Sequence, residues 1–142
     1  TGLGVDASLA ALAVAQENAQ STGLAGRANL RLGDWGEGLS ERFDLILSNP
    51  PYIANNDAHL LQGDLRFEPK EALTDGFDGL NAYRLILKSL SHYLNSGAIV
   101  VFEHGFEQAV AIQCLLQDHD FIGVLTNKDF SGSNRITFAQ SK

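Results

Sequence analysis

The apolar run Phe43-Asp44-Leu45-Ile46-Leu47-Ser48 stops on Asn49-Pro50-Pro51-Tyr52. A near-continuous apolar stretch of this length is what a central parallel strand needs when both of its faces are covered. The two prolines then end the strand, because each lacks a backbone N–H and fixes φ. The residues before them, Asn49 and Pro50, are pushed into extended geometry. The chain must therefore leave its sheet through a stiff turn whose carbonyls have no local N–H partner.

The rest of the chain repeats the theme of short apolar runs separated by helical periodicity, the pattern of an α/β sheet protein. Leu3-Gly4-Val5-Asp6 reads as a strand end, and Ser8 as the N-cap of a helix running to about Thr22 through Leu9, Leu12, Ala13 and Ala15. Gly23 stops it. Asn29–Leu32 is a strand leading into Gly33-Asp34-Trp35. Residues 55–79 are long, polar and irregular, as functional loops are. A helix is expected over Ala82–Leu94, a buried strand over Ala98–Phe102, a helix over Glu107–Gln117, and a final antiparallel pair over Phe121–Asn127 and Arg135–Ala139. Asp6, Asp34, Asn49 and Glu103 each follow or close an apolar run. Ligands of open α/β sheets bind outside the carboxyl ends of the strands, so these four are expected along one rim.

Composition narrows the partners. The 142 residues suit one domain, and the 44% hydrophobic content can bury an ordinary core. No apolar run reaches the length of a membrane span, and no leader pattern opens the chain. The one cysteine, Cys114, rules out an internal disulfide framework, fits a reducing cytoplasm, and reads as core. The net charge is −7 and the ten Lys and Arg are scattered, which disfavours a duplex nucleic acid as the direct substrate and favours a protein partner with a basic surface. His59, His92 and His119 show no metal-ligand spacing with Cys114, so no metal is expected.

Three places carry candidate chemistry. Asp6, between a strand and a helix, can accept hydrogen bonds from a ribose diol, or simply initiate the helix. Asp34 can accept from an exocyclic amine and Trp35 can pack on a purine; otherwise they are a turn acid and a core tryptophan. Asn49 through Tyr52 is the specific signal. The Asn49 side-chain oxygen and the Pro50 carbonyl form a pair of acceptors suited to both hydrogens of a planar NH2 group, and Tyr52 supplies an aromatic wall. The bland alternative is a plain strand-ending turn.

These residues resemble the release-factor glutamine methyltransferase family, also called HemK-like. The matching stretches are Gly4-Val5-Asp6, Gln16-Glu17-Asn18-Ala19, Gly33-Asp34-Trp35 and Phe43 through Ile53. Gly63 through Pro69, Gly76 through Arg84 and Glu103-His104-Gly105 match as well. The Asn-Pro-Pro-Tyr motif alone is shared with adenine-N6 methyltransferases of DNA or RNA and with ribosomal-protein glutamine methyltransferases. Arg66-Phe67-Glu68-Pro69 and Glu103-His104-Gly105 are more specific. The resemblance implies a class I, Rossmann-like α/β fold and S-adenosylmethionine as cofactor. It implies N5-methylation of the glutamine in the Gly-Gly-Gln loop of peptide-chain release factors. It assigns Asp6 to the ribose, Asp34 and Trp35 to the adenine side, and Asn49, Pro50, Pro51 and Tyr52 to the glutamine and methyl donor. Arg66, Phe67 and Glu68 are candidates for shaping the glutamine pocket, or for loop scaffolding. His104 reads either as part of the rim or as a satisfied structural histidine.

The family also has an N-terminal helical domain and a glycine-rich loop after a first strand, and nothing in residues 1–142 matches either. The expectation is a partial catalytic domain with weak cofactor binding of its own and self-association through exposed sheet edges.

Overall fold

The computed structural model describes residues 1–142 apart from 58, 59, 61, 62 and 64–66. The chain divides into two compact units, Thr1–Ser40 and Glu41–Lys142.

In the first unit β1 (Gly2–Asp6) runs parallel to β2 (Ala28–Leu32), with Val5 opposite Arg31 and Asp6 opposite Leu32. Helix α1 (Leu9–Ser21) makes the crossover. Its start is fixed by Ser8, whose hydroxyl accepts from the Ala11 N–H at 3.2 Å. Its end is fixed by Gly23, which takes φ 72° just past the cap. Leu12, Ala15 and Ala19 recur at helical spacing, and Ala19 is the unit's one buried residue. Leu9, Val14 and Leu32 remain exposed.

The second unit holds a four-stranded sheet in the order β3-β4-β6-β5. Strand β3 (Phe43–Ser48) is parallel to β4 (Leu94–Glu103). Strand β6 (Asn134–Gln140) is antiparallel to both β4 and β5 (Ile122–Lys128), as the final pair predicted. Short α2 (Lys70–Leu73) precedes α3 (Asn81–Leu90), and a 3-10 turn at Phe106–Gln108 leads into α4 (Ala109–Asp118). Tyr83, Ile86, Leu87 and Leu90 form the i, i+3, i+4, i+7 stripe of α3; Ala109, Ile112 and Leu116 form that of α4. They close on Val100 and Phe102 of β4 and Ala139 of β6. Tyr83 and Phe102 meet edge to face, 5.4 Å between ring centroids.

The structure departs from the sequence-based expectation in four places. Helix α3 ends at Leu90, a 3-10 turn covers Ser91–Tyr93, and Leu94 opens β4 rather than closing the helix. Sheet pairing overrides local helical pattern here: Leu94 is buried opposite Phe43, and Asn95 Nδ2 donates to Asp44 at 2.7 Å. Strand β3 is not covered on both faces, since Leu45 and Leu47 are 53% and 68% exposed. Among the described residues it is an edge strand whose one partner in the sheet is β4. Cys114 is exposed, because it lies off the buried stripe of α4, two residues from both Ile112 and Leu116. The long loop is also not wholly irregular: it contains α2 and a parallel bridge between Ile53 and Thr74.

Candidate active site

Ser48 pairs with Phe102 in two parallel strands, so Asn49 leaves the sheet beside Glu103, the last residue of β4, which still pairs with Ile136 of β6. Pro50 is fully buried, Pro51 and Tyr52 are half-buried, and Asn49 is exposed. The turn is therefore anchored through its prolines and offers its asparagine to solvent. The segment after it is held by the Ile53 N–H on the Leu73 carbonyl and the Asn55 N–H on the Phe77 carbonyl, both at 3.0 Å. Gln108 donates from Nε2 to the carbonyls of Tyr52 and Gly79, at 3.0 and 3.1 Å. Asp75 organises the loop beneath: its carboxylate accepts from the N–H groups of Phe77, Gly79 and Asn81 at 2.8, 3.2 and 2.7 Å. Gly79 has φ +79°, and a Cβ there would stand 2.3 Å from the Tyr52 carbonyl oxygen, so only glycine admits this approach.

The end of β4 is braced from within. The Tyr83 hydroxyl donates to the Glu103 carbonyl at 2.6 Å. Burial, reinforced by the nearby Tyr52, Glu103 and Asp75, holds the Tyr83 phenol above its ordinary range, so it remains a neutral donor. His104 is fully buried, and its partners fix its tautomer. The Gly105 carbonyl, 2.8 Å from Nδ1, can only accept, so Nδ1 carries the proton. Nε2 then accepts from Thr137, which accepts from Thr126, which accepts from Gln113, over distances of 2.8, 2.6 and 2.8 Å. Burial lowers the His104 pKa, partly offset by the Gly105 hydrogen bond, and the Arg135 charge lowers it further. His104 is thus a satisfied structural histidine.

In the first unit, Asp6 ends β1 and its Oδ1 accepts from the Ser8 N–H at 2.7 Å, so it helps start the helix. Asp34 is exposed, and its carbonyl accepts from the Glu37 N–H at 2.9 Å. Trp35 is half-buried rather than core, and it sits at φ 51°. A bulky side chain in the left-handed region costs on the order of 1–3 kcal/mol, and such strain clusters at functional sites.

Arg66 lies outside the described residues, as does His59. Phe67, 75% exposed, and Glu68, also exposed, stand on the loop surface before α2. Among the described residues no group of His, Cys, Asp or Glu could hold a metal ion, and no helix is long and apolar enough to cross a membrane. A cavity of about 320 Å³ lined by Arg42, Leu94, Asn95 and Lys142 opens at the start of β4, the opposite end of that strand from Glu103. The sequence alone assigned no role to Asp75, Gly79, Tyr83 or Gln108, although Gly79 and Tyr83 lie in the matching stretch Gly76 through Arg84. A signal for Gln108 was present, since a Gln three residues after the glycine preceding a helical turn is half of a capping box.

The methyltransferase small domain family matches residues 3–76, which carry β1 through the Asn49–Tyr52 turn and the loop beyond it. The chain belongs to that family. Two curated relatives, from Xylella fastidiosa (strain 9a5c) and Bordetella pertussis (strain Tohama I), are each named release factor glutamine methyltransferase. Each is 48% identical to this chain, over 95% and 93% of its length. The chain spans about half the length of these relatives, 49% in each case. A solved ribosomal protein L11 methylase from Lactobacillus delbrueckii subsp. bulgaricus superposes with a TM-score of 0.68 at 20% identity, over 99% of this chain and 56% of that one. The expected class I methyltransferase-like α/β fold is therefore the observed one.

Proposed function

We propose that this methyltransferase domain serves the transfer of a methyl group from S-adenosylmethionine to the side-chain nitrogen of a glutamine, in the Gly-Gly-Gln loop of a peptide-chain release factor. The observation that carries the reading is the Asn49–Tyr52 turn. It presents an exposed asparagine on a buried proline at the carboxyl end of β3, in a chain nearly half identical to relatives named for that substrate. The charge of −7 supports a protein substrate over a nucleic acid. Among the described residues β3 pairs only with β4, and with Leu45 and Leu47 exposed this supports association through its other edge. A translation substrate supports a cytoplasmic location.

The residues present fit the cofactor chemically. The Asp6 carboxylate engages Ser8 through one oxygen and has a second for a ribose hydroxyl. Asp34 is exposed to accept from the adenine amine, and the half-buried Trp35 offers a ring to its face. When bound, the cofactor supplies a methyl group on a positively charged sulfur, which is a good leaving group. The protein's task is then alignment and exclusion of water rather than strong base catalysis. Asn49 Oδ1 and the Pro50 carbonyl accept the two hydrogens of the glutamine NH2, orienting its nitrogen and raising its electron density as it reacts. Tyr52 walls the site and stabilises positive charge through its ring face. Phe67 and Glu68, together with Arg66, are proposed to contact the glutamine-bearing loop.

The test is mass spectrometry of a release factor incubated with a full-length protein carrying this domain and an isotope-labelled methyl donor. Label is expected on the glutamine of the Gly-Gly-Gln peptide. Asn49→Ala should lower transfer on the order of 100-fold or more while largely sparing cofactor binding, the scale set by removing one hydrogen-bonding group from a reacting centre. Undiminished transfer by Asn49→Ala would remove the role assigned to the turn.

A further inference from the structure

We propose that Gln108 is a positioning residue for the methyl acceptor, holding the Asn49–Tyr52 turn in register with the loop that precedes α3; the inference rests on the glutamine-acceptor reading above. Two prolines in succession deprive the turn of two N–H donors, so it cannot be fixed by its own backbone. The donor must come from elsewhere in the fold, and Gln108 provides it. One hydrogen of its side-chain NH2 reaches the Tyr52 carbonyl at 3.0 Å, and the other reaches the Gly79 carbonyl at 3.1 Å. Its Oε1 accepts from the Gly105 N–H at 2.9 Å. One half-buried amide thus joins the turn after β3, the Asp75–Gly79 loop and the end of β4.

The surrounding backbone is shaped to this side chain. A Cβ on Gly79 would stand 2.8 Å from Gln108 Nε2, and a Cβ on Gly105 3.1 Å from Gln108 Oε1. Gly105 is also in reach of the turn's aromatic wall, where an added Cβ would lie 3.7 Å from Tyr52 Cδ2. The Gln108 N–H donates to the Gly105 carbonyl at 3.0 Å, so backbone and side chain grip the same residue. A local cap would need only the bond to Gly105. The two carbonyl contacts reach back 56 and 29 residues, and they do nothing for the helix. The first fixes the Tyr52 carbonyl, two residues after the proposed acceptor-binding carbonyl of Pro50, and the second ties it to the loop before α3.

A glutamate at this position separates the two roles. It keeps the acceptor for Gly105 but sets a carboxylate against two carbonyl oxygens. Gln108→Glu is therefore expected to keep its circular dichroism spectrum. Its kcat for methyl transfer to a Gly-Gly-Gln peptide should fall about 100-fold, the scale of a small misplacement of a reacting group, with KM for the methyl donor nearly unchanged. Gln108→Met, of similar length and uncharged, should show the same fall in kcat and covers the case in which the carboxylate prevents folding. Gln117→Ala, on the exposed end of α4, should transfer normally. If both Gln108 variants lose thermal stability yet keep the kcat of the folded protein, Gln108 is only a structural cap and the proposal is overturned. If the unsubstituted protein, shown by calorimetry to be loaded with methyl donor, transfers no methyl group to the glutamine, the acceptor reading fails first and the positioning role falls with it.

Discussion

Strands β1 and β3 both run parallel to a partner and end where a polar residue leaves the sheet, yet they are backed very differently. The β1–β2 pair has one helix over it and a single buried residue, Ala19. The β3–β4 pair belongs to a sheet on which α3 and α4 close an interior containing Tyr83, Phe102, Ile112 and Leu116, each fully buried. Site residues depend on what lies beneath them, and here the two halves of the proposed reaction have unequal foundations. The acceptor turn stands on buried Pro50 and a hydrogen-bonded loop. The residues proposed for the cofactor, Asp6, Asp34 and Trp35, stand on a thin βαβ unit whose apolar residues Leu9, Val14 and Leu32 face solvent. Acceptor geometry is thus set by the fold of one unit, whereas the cofactor side has less packing to hold it.

The sharpest way to break this contrast is to delete the same side chain in both units. Leu116→Ala removes a fully buried leucine and should cost about 3 kcal/mol, from lost burial plus the cavity left behind. Leu9→Ala, at a position 69% exposed, should change stability by no more than about 0.5 kcal/mol. Urea midpoints at constant slope measure both. Equal costs would mean that the first unit has an interior the structure does not show.

Much of this contrast was hidden in the sequence. The strand ends were legible because a run such as Phe43–Ser48 followed by two prolines has few other readings. Ser8 and Gly23 likewise marked α1 through local capping chemistry. What the sequence could not state was which apolar residues find a covering layer. Leu45 and Leu47 read as buried because strand pattern reports the capacity to be covered, while coverage depends on the neighbouring elements. Cys114 misled for the same reason. Leu94 read as the last residue of a helix because its pairing with Phe43 is non-local. At the site, Asn49 through Tyr52 stood out by composition alone. Gln108 and Asp75 did not, since an amide or carboxylate that bonds to distant or irregular backbone leaves no periodic signal.

A pH experiment tests whether the interior of the second unit behaves as one sealed network. His104 is buried with its pKa held below the ordinary 6.5, chiefly by burial. The unfolded chain therefore takes up a proton near that value while the folded chain does not. Stability should be full above about pH 6.5 and decline as the pH drops below it, because the depressed pKa leaves the unfolded chain the better proton acceptor there. The first unit has no histidine. His104→Gln should flatten the dependence in this window, measured as denaturation midpoint against pH. A slope that survives the substitution would place the titrating group elsewhere in the molecule.

The smallest effect concerns the surface of the better-packed unit. Asp78 meets Arg84 through two hydrogen bonds, at 3.0 and 2.7 Å, and also accepts from the Leu80 N–H at 3.0 Å. These contacts, the Arg84 bond first, lower its pKa to about 2. The sign follows: a carboxylate whose pKa is depressed contributes above its ordinary range, and the contribution is lost as the pH falls from about 4 towards 2. Both side chains are roughly half exposed, so solvent screening reduces the pair far below what the pKa alone suggests. Asp78→Asn keeps an acceptor for Leu80 and should cost less than about 1 kcal/mol at neutral pH, with the difference shrinking in high salt. A thermal melt at low and high salt measures it. A loss comparable to that of Leu116→Ala would show that the second unit is held by its surface ion pair as much as by its interior, and the distinction from the first unit would then no longer rest on burial.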